Sequence, residues 1–127
     1  METEYYSSSL TEGLGLPFSE AARVGNVVFL SGMIGVRPGT LDLVPGGLEE
    51  EAWQTLENIG IILEEIGATR DDVVKCTVML DDMAQWGRFN DIYVEFFGDH
   101  RPARSALGAD GLALGATVEV ECIATAH

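Results

Sequence analysis

Two segments of this chain are apolar on both faces of a strand, and that constrains the fold more than any other feature. In residues 27–34, Val27, Phe29 and Met33 alternate with Val28, Leu30 and Ile34. In residues 73–80, Val74, Cys76, Val78 and Leu80 oppose Val73 and Met79. Successive side chains of a strand point to opposite faces, so both faces of the sheet call for cover. The periodicity elsewhere supplies two helices, enough for one face. The second face needs another layer or stays an exposed apolar patch, and self-association is the simplest way to provide it.

A chain of 127 residues predicts a single domain, 1–127, that buries roughly two-thirds of its unfolded surface. Residues 1–16 are polar and dotted with glycine, an arm with room for one short strand. A hairpin follows, residues 18–24 and 27–36 around the turn Gly25-Asn26. Pro and Gly make residues 37–47 a loop. Leu48, Ala52, Leu56, Ile59, Leu63 and Ile66 recur at spacings of three and four, the apolar stripe of a helix stopped by Gly67. After strand 73–80, Asp82 is placed as an N-cap with Gln85 three residues on. The next helix carries Trp86, Phe89, Tyr93, Phe96 and Phe97 and ends at Gly98. Two strands near 103–109 and 117–126 complete an α+β order, β-β-α-β-α-β-β.

Composition narrows the function. Twenty-one acids against seven bases give a net charge of −14, a field that repels nucleic-acid backbones and anionic membrane surfaces. Neither is expected as a partner, and the longest apolar runs, 27–30 and 59–63, fall far short of the roughly 18 residues of a membrane span. Acids occupy the N-terminal positions where a signal peptide is basic, so the sequence reads as cytoplasmic. Cys76 and Cys122 lie inside apolar alternation, where free thiols act as small buried hydrophobes. With His100 and His127 the only histidines, no zinc site is expected, and nucleotide-binding and nucleophile-elbow motifs are missing from the sequence.

Chemistry concentrates in two places. Arg101-Pro102-Ala103-Arg104-Ser105 puts two of the seven cations at the start of an apolar strand. Both could be surface arginines paired with acids; alternatively, a guanidinium projecting into a semi-enclosed site forks onto a carboxylate. In residues 117–123, Glu119, Glu121 and Ile123 share one face and Val118, Val120 and Cys122 the other. That face is either solvated or, given Ile123, partly covered, and a partly covered carboxylate can act as a general base. An antiparallel pairing of the last two strands about Gly111 and Leu112 would set Arg104 opposite Glu119.

Ser31-Gly32, Asn90 with Tyr93 and Phe96-Phe97, Pro102-Ala103-Arg104-Ser105, and Val118-Glu119-Val120-Glu121-Cys122-Ile123-Ala124 together resemble the Rid/YjgF family of reactive-intermediate deaminases, from about Leu16 to the C-terminus. The resemblance implies a chorismate-mutase-like fold, one sheet with two helices on one face, and a homotrimer with a central barrel and inter-subunit clefts. It implies hydrolysis of enamine/imine (2-imino acid) intermediates to 2-oxo acids and ammonia, without a cofactor. By the same resemblance Arg104 would grip the carboxylate of the substrate, Glu119 would polarise the attacking water, and Ser31, Gly32 and Asn90 would line the cleft.

Four positions depart from the family's common residues. Phe18 stands where tyrosine is usual, Glu20 and Met33 where glutamine is common, and Ala106 where cysteine is frequent. Phe18 and Ala106 make the cleft more apolar. Two alternatives therefore accompany the deaminase reading: hydrolysis of a larger, aminomuconate-like enamine, and a regulatory trimer that binds carboxylates without turnover.

Overall fold

The computed structural model describes residues 2–127. Six strands form one sheet: β1 (Thr3–Tyr6), β2 (Ala21–Val24), β3 (Val27–Leu30), β4 (Val73–Leu80), β5 (Ala103–Gly108) and β6 (Val118–Thr125), in the order β1-β2-β3-β6-β4-β5. Helices α1 (Leu48–Glu65) and α2 (Trp86–Phe97) pack on each other, and their apolar faces bury one side of the sheet. The expected α+β architecture is present, with β1 as an added edge strand contributed by the N-terminal arm.

Local chemistry explains the elements. Gly25, at φ 60°, makes the tight turn between β2 and β3 without a Cβ penalty. Three glutamates, Glu49, Glu50 and Glu51, occupy the first turn of α1, where the helix dipole favours negative charge. Gly67 lies at φ 84° immediately past the helix, and the Ala68 N–H returns to the Leu63 carbonyl at 2.8 Å, closing the C-terminus. Asp82 caps a short 3-10 turn, Met83–Gln85, by accepting from the Ala84 N–H, and α2 begins directly after it.

Burial identifies the two faces of the sheet. Val28, Leu30, Cys76, Val78, Val118, Val120 and Cys122 are buried under the helices, whereas Val27 and Phe29 are exposed. In β4 the simple alternation expected from sequence fails at the N-terminal end. Val73 is fully buried and Val74 is 46% exposed, because a bulge between Val73 and Lys75 shifts the register against β6 and turns Val74 to the open face. The second strand of the hairpin is also shorter than residues 27–36. Its ladder ends at Leu30, and the chain returns to the sheet only at the isolated Met33–Val120 bridge.

Cys76 and Cys122 are direct register partners, with free thiols 3.1 Å apart in the core. Among the described residues, no helix is long and apolar enough to cross a membrane.

Leu56 on α1 is fully buried in the single core cluster. Replacing it with alanine should lower the unfolding free energy by about 2–5 kcal/mol through lost transfer energy and the residual cavity, read as a shift of the denaturant midpoint at unchanged m-value.

Candidate functional site

Glu119 is placed by contacts on three sides. Glu51 of α1, 5% exposed, accepts the Thr117 N–H at 2.9 Å and so pins the start of β6. Val118 and Val120 then enter the core, and alternation sends Glu119 the other way. The Met33–Val120 bridge, with N···O distances of 2.8 and 3.0 Å in the two directions, draws Ser31-Gly32-Met33 alongside β6. Gly32 leaves the space that the Glu119 carboxylate fills; a Cβ there would collide with Oε2. This glycine is required by close approach rather than by its dihedral angles.

The Glu119 carboxylate accepts no hydrogen bond from the described residues. Burial, reinforced by the nearby charge of Glu121, raises its pKa above the ordinary glutamate value. It stands at the edge of a cavity of about 330 Å³, which Phe18, Ser31, Gly32 and Met33 also line. Five of the eight residues proposed from sequence therefore share one place. The Ser31 hydroxyl is not free within it, since Oγ donates to the Ser19 carbonyl at 2.6 Å.

The other three lie apart from it on the helix-covered side of the sheet, Arg104 and Ala106 on β5 and Asn90 on α2, three residues before Tyr93. Arg104 pairs in register with Cys76, on the helix-covered face, and its guanidinium lies 4.8 Å from the Tyr93 ring centroid and 5.8 Å from that of Trp86. Both distances are within cation–π range. Ala106 follows on the same face and packs against the core. Asn90 Oδ1 and Tyr93 Oη are buried without a hydrogen bond of good geometry, and burial, with the neighbouring Cys76 thiol, raises the phenol's pKa. Two orphaned polar groups beside an unpaired guanidinium are an open demand for a ligand or a neighbouring surface.

The reading of both arginines as surface partners of acids does not describe this arrangement. Among the described residues the one ion pair joins Arg88 to Glu49. Arg101 donates to the carbonyls of Gly98 and His100 at the end of α2.

The expected pairing of Arg104 opposite Glu119 is incorrect. β5 pairs with β4 in parallel, and β6 pairs antiparallel with both β3 and β4. The reason is the crossover: β4-α2-β5 returns the chain through a helix, which makes the two strands parallel neighbours and leaves β6 to fill the centre. Arg104 shares a row with Cys76 and Cys122, while Glu119 shares one with Met79 and Leu107. Within one copy the two side chains therefore sit three rows apart and on opposite faces.

Several roles escape sequence reasoning, even for residues such as Tyr93 and Glu20 that it names. Tyr93 and Trp86 are seven positions apart on α2 and read as core stripe, yet they form the platform under Arg104. Glu20 is 2% exposed and lines the cavity, with nothing in its neighbours to mark a buried carboxylate. Among the described residues, no group of three or more His, Cys, Asp or Glu side chains is arranged to hold a metal ion.

The profile of the family described as Endoribonuclease L-PSP matches residues 14–126. A mouse 2-iminobutanoate/2-iminopropanoate deaminase is 44% identical over 108 residues, 85% of this chain and 80% of that protein. A RutC family protein of Pyrococcus abyssi is 42% identical over 108 residues, 85% of each chain. The crystal structure of E. coli TdcF with bound serine superposes with a TM-score of 0.88 at 28% identity, covering 98% of this chain and 99% of that one.

Because burial raises the Glu119 pKa above its unfolded value, this group favours folding when protonated. That contribution is present below the unfolded pKa and is lost as pH rises through the folded one. Glu119→Gln should therefore melt at a higher temperature than the wild type at neutral pH, with the difference vanishing in acid, as measured by thermal denaturation across pH.

Proposed function

The chain belongs to the Rid/YjgF family, and from that premise we propose that it hydrolyses 2-imino acids to 2-oxo acids and ammonia in a cleft shared by two copies of itself. The observation that carries this reading is the separation of the two clusters. Arg104, Asn90 and Tyr93 have unmet polar capacity on one face, Glu119 has it on the other, and a single copy cannot bring them to one substrate. A neighbour that sets its Glu119 cavity against Arg104 satisfies both. The exposed apolar residues of the open sheet face, Val27, Phe29 and Leu107, supply the surface for such packing, and a closed homotrimer buries it in every copy.

The chemistry then follows from the residues. The Arg104 guanidinium, backed by the Tyr93 and Trp86 rings, forks onto the substrate carboxylate in charge-assisted hydrogen bonds. Asn90 Oδ1, buried and unpartnered, accepts from the N–H of the imine. The imine carbon is electrophilic without further activation. Glu119 of the adjacent copy takes a proton from water as the oxygen bonds to that carbon, giving a carbinolamine. The same carboxyl delivers that proton to the imine nitrogen to complete the carbinolamine, then takes the hydroxyl proton and passes it to nitrogen as the C–N bond breaks, so that ammonia leaves as the carbonyl forms. A carboxylate whose pKa is raised by burial is better matched to this shuttle near neutral pH than an ordinary glutamate.

The decisive experiment generates imino acids in situ with an amino-acid oxidase and traps them with semicarbazide. Added protein should diminish trapping, and undiminished trapping for every imino acid tried would refute the deaminase. Glu119→Gln should lower kcat by about 10²–10⁴-fold while retaining binding of 2-oxo acids. Arg104→Ala should weaken that binding by roughly tenfold or more, the worth of a charge-assisted hydrogen bond. Phe29→Glu should yield a monomer by light scattering behind a sizing column and abolish turnover, whereas a wild type of one-chain mass at micromolar concentration would overturn the shared site.

A further inference from the structure

Six of the sixteen residues lining the cavity beside Glu119 are polar, yet their side chains offer a ligand little. Glu20 is fully occupied: its carboxylate accepts from Ser8 N at 2.9 Å, from Ser8 Oγ at 2.5 Å and from the Thr11 hydroxyl. Thr40 Oγ1 donates to the Arg37 carbonyl at 2.8 Å. Asn58 Nδ2 donates to the carbonyls of Ile34 and Val36, at 3.2 and 2.9 Å, and its Oδ1 accepts from Gln54. The Ser31 hydroxyl is held by Ser19. Glu119 is the one polar side chain of the lining with no such engagement within the chain.

The rest of the wall is hydrocarbon, with Leu10, Leu16, Phe18, Val36, Leu41 and Leu114 among its residues. At about 330 Å³ the space falls within the roughly 300–1,000 Å³ of pockets that take drug-sized ligands. A methyl or ethyl group leaves most of it unfilled. Leu114 marks the same rim by its backbone. At φ 58° and ψ 17° it is the one non-glycine residue of positive φ among the described residues, and its side chain is 56% exposed. Left-handed backbone is unfavourable for a bulky residue and is retained most often where a site uses it.

From this lining we infer that the chain's substrates are 2-imino acids with a large apolar side chain, branched aliphatic or aromatic, which enters the cavity while the imine carbon stays at Glu119. The inference rests on the deaminase reading for its reaction and on the cavity for its selectivity. Phe18 and Leu114 are the specificity-determining residues, because both are exposed and shape the mouth that the side chain must pass. A charged or hydrogen-bonding side chain would lose its hydration and find every polar side chain of the lining but Glu119 already engaged, which disfavours it.

Binding and turnover test the inference separately. Calorimetric titration of the assembled protein with three 2-oxo acids, bearing methyl, isobutyl and benzyl side chains, reads selectivity without catalysis. The isobutyl and benzyl compounds should bind at least about tenfold more tightly than the methyl compound, since even one methylene in an apolar pocket is worth about tenfold or more. Leu114→Glu, at an exposed position that threatens the fold little, should cut that ratio by at least about tenfold. Equal or tighter binding of the methyl compound, or a ratio unmoved by Leu114→Glu, would overturn the side-chain pocket. In the trapping assay, kcat/KM should follow the same order. Retention of the binding order without turnover of any imine would remove the deaminase and keep the pocket, so the two failures are distinct.

Discussion

The central position of β6 is the constraint on which the rest of the structure depends. It pairs with β3 on one side and β4 on the other, so both halves of the sheet are joined through one strand from the end of the chain. The buried face of β6 holds α1 to the sheet, and the opposite face carries Glu119. The start of the strand is tied to α1 through Glu51 and its middle to the 31–33 segment through Val120. The carboxylate is thus positioned by main-chain pairing and a buried side-chain acceptor. Each anchor is a main-chain pairing or a buried hydrogen bond, which is how a proton-transfer group is held to a fixed geometry.

Much of this was legible from local pattern. The stripe from Leu48 to Ile66 and the stop at Gly67 identify α1 because helix periodicity and termination are properties of neighbouring residues. The eight-residue strand Val73–Leu80 and the Glu119/Val120 alternation are local in the same sense. The resemblance in the Arg104 and Glu119 segments led directly to the two side chains with unmet capacity.

What the sequence did not reveal was nonlocal. Whether β5 pairs with β6 or with β4 depends on the crossover through α2, and no spacing near Arg104 records it. The bulge that exposes Val74 is an irregularity between two strands. A count of apolar residues cannot see it, because Val73 and Val74 are identical in chemistry. The cavity is illegible for a further reason. Glu20, Thr40 and Asn58 look polar in a sequence, and only their partners show that they offer a ligand nothing. Polar letters can belong to an apolar wall when their side chains are satisfied from within.

Placing Arg104 and Glu119 on opposite faces of the same sheet also has a consequence for inheritance. In the proposed assembly each copy lends its guanidinium to one cleft and its carboxylate to another, so no cleft belongs to a single polypeptide. Two defective alleles, one lacking Arg104 and one lacking Glu119, would each be inactive alone, yet when co-assembled they would reconstitute an intact cleft wherever the sound face of one meets the sound face of the other. Conversely, one copy damaged at both positions spoils two clefts while folding normally. Selection on this gene then acts on the ring rather than on the chain.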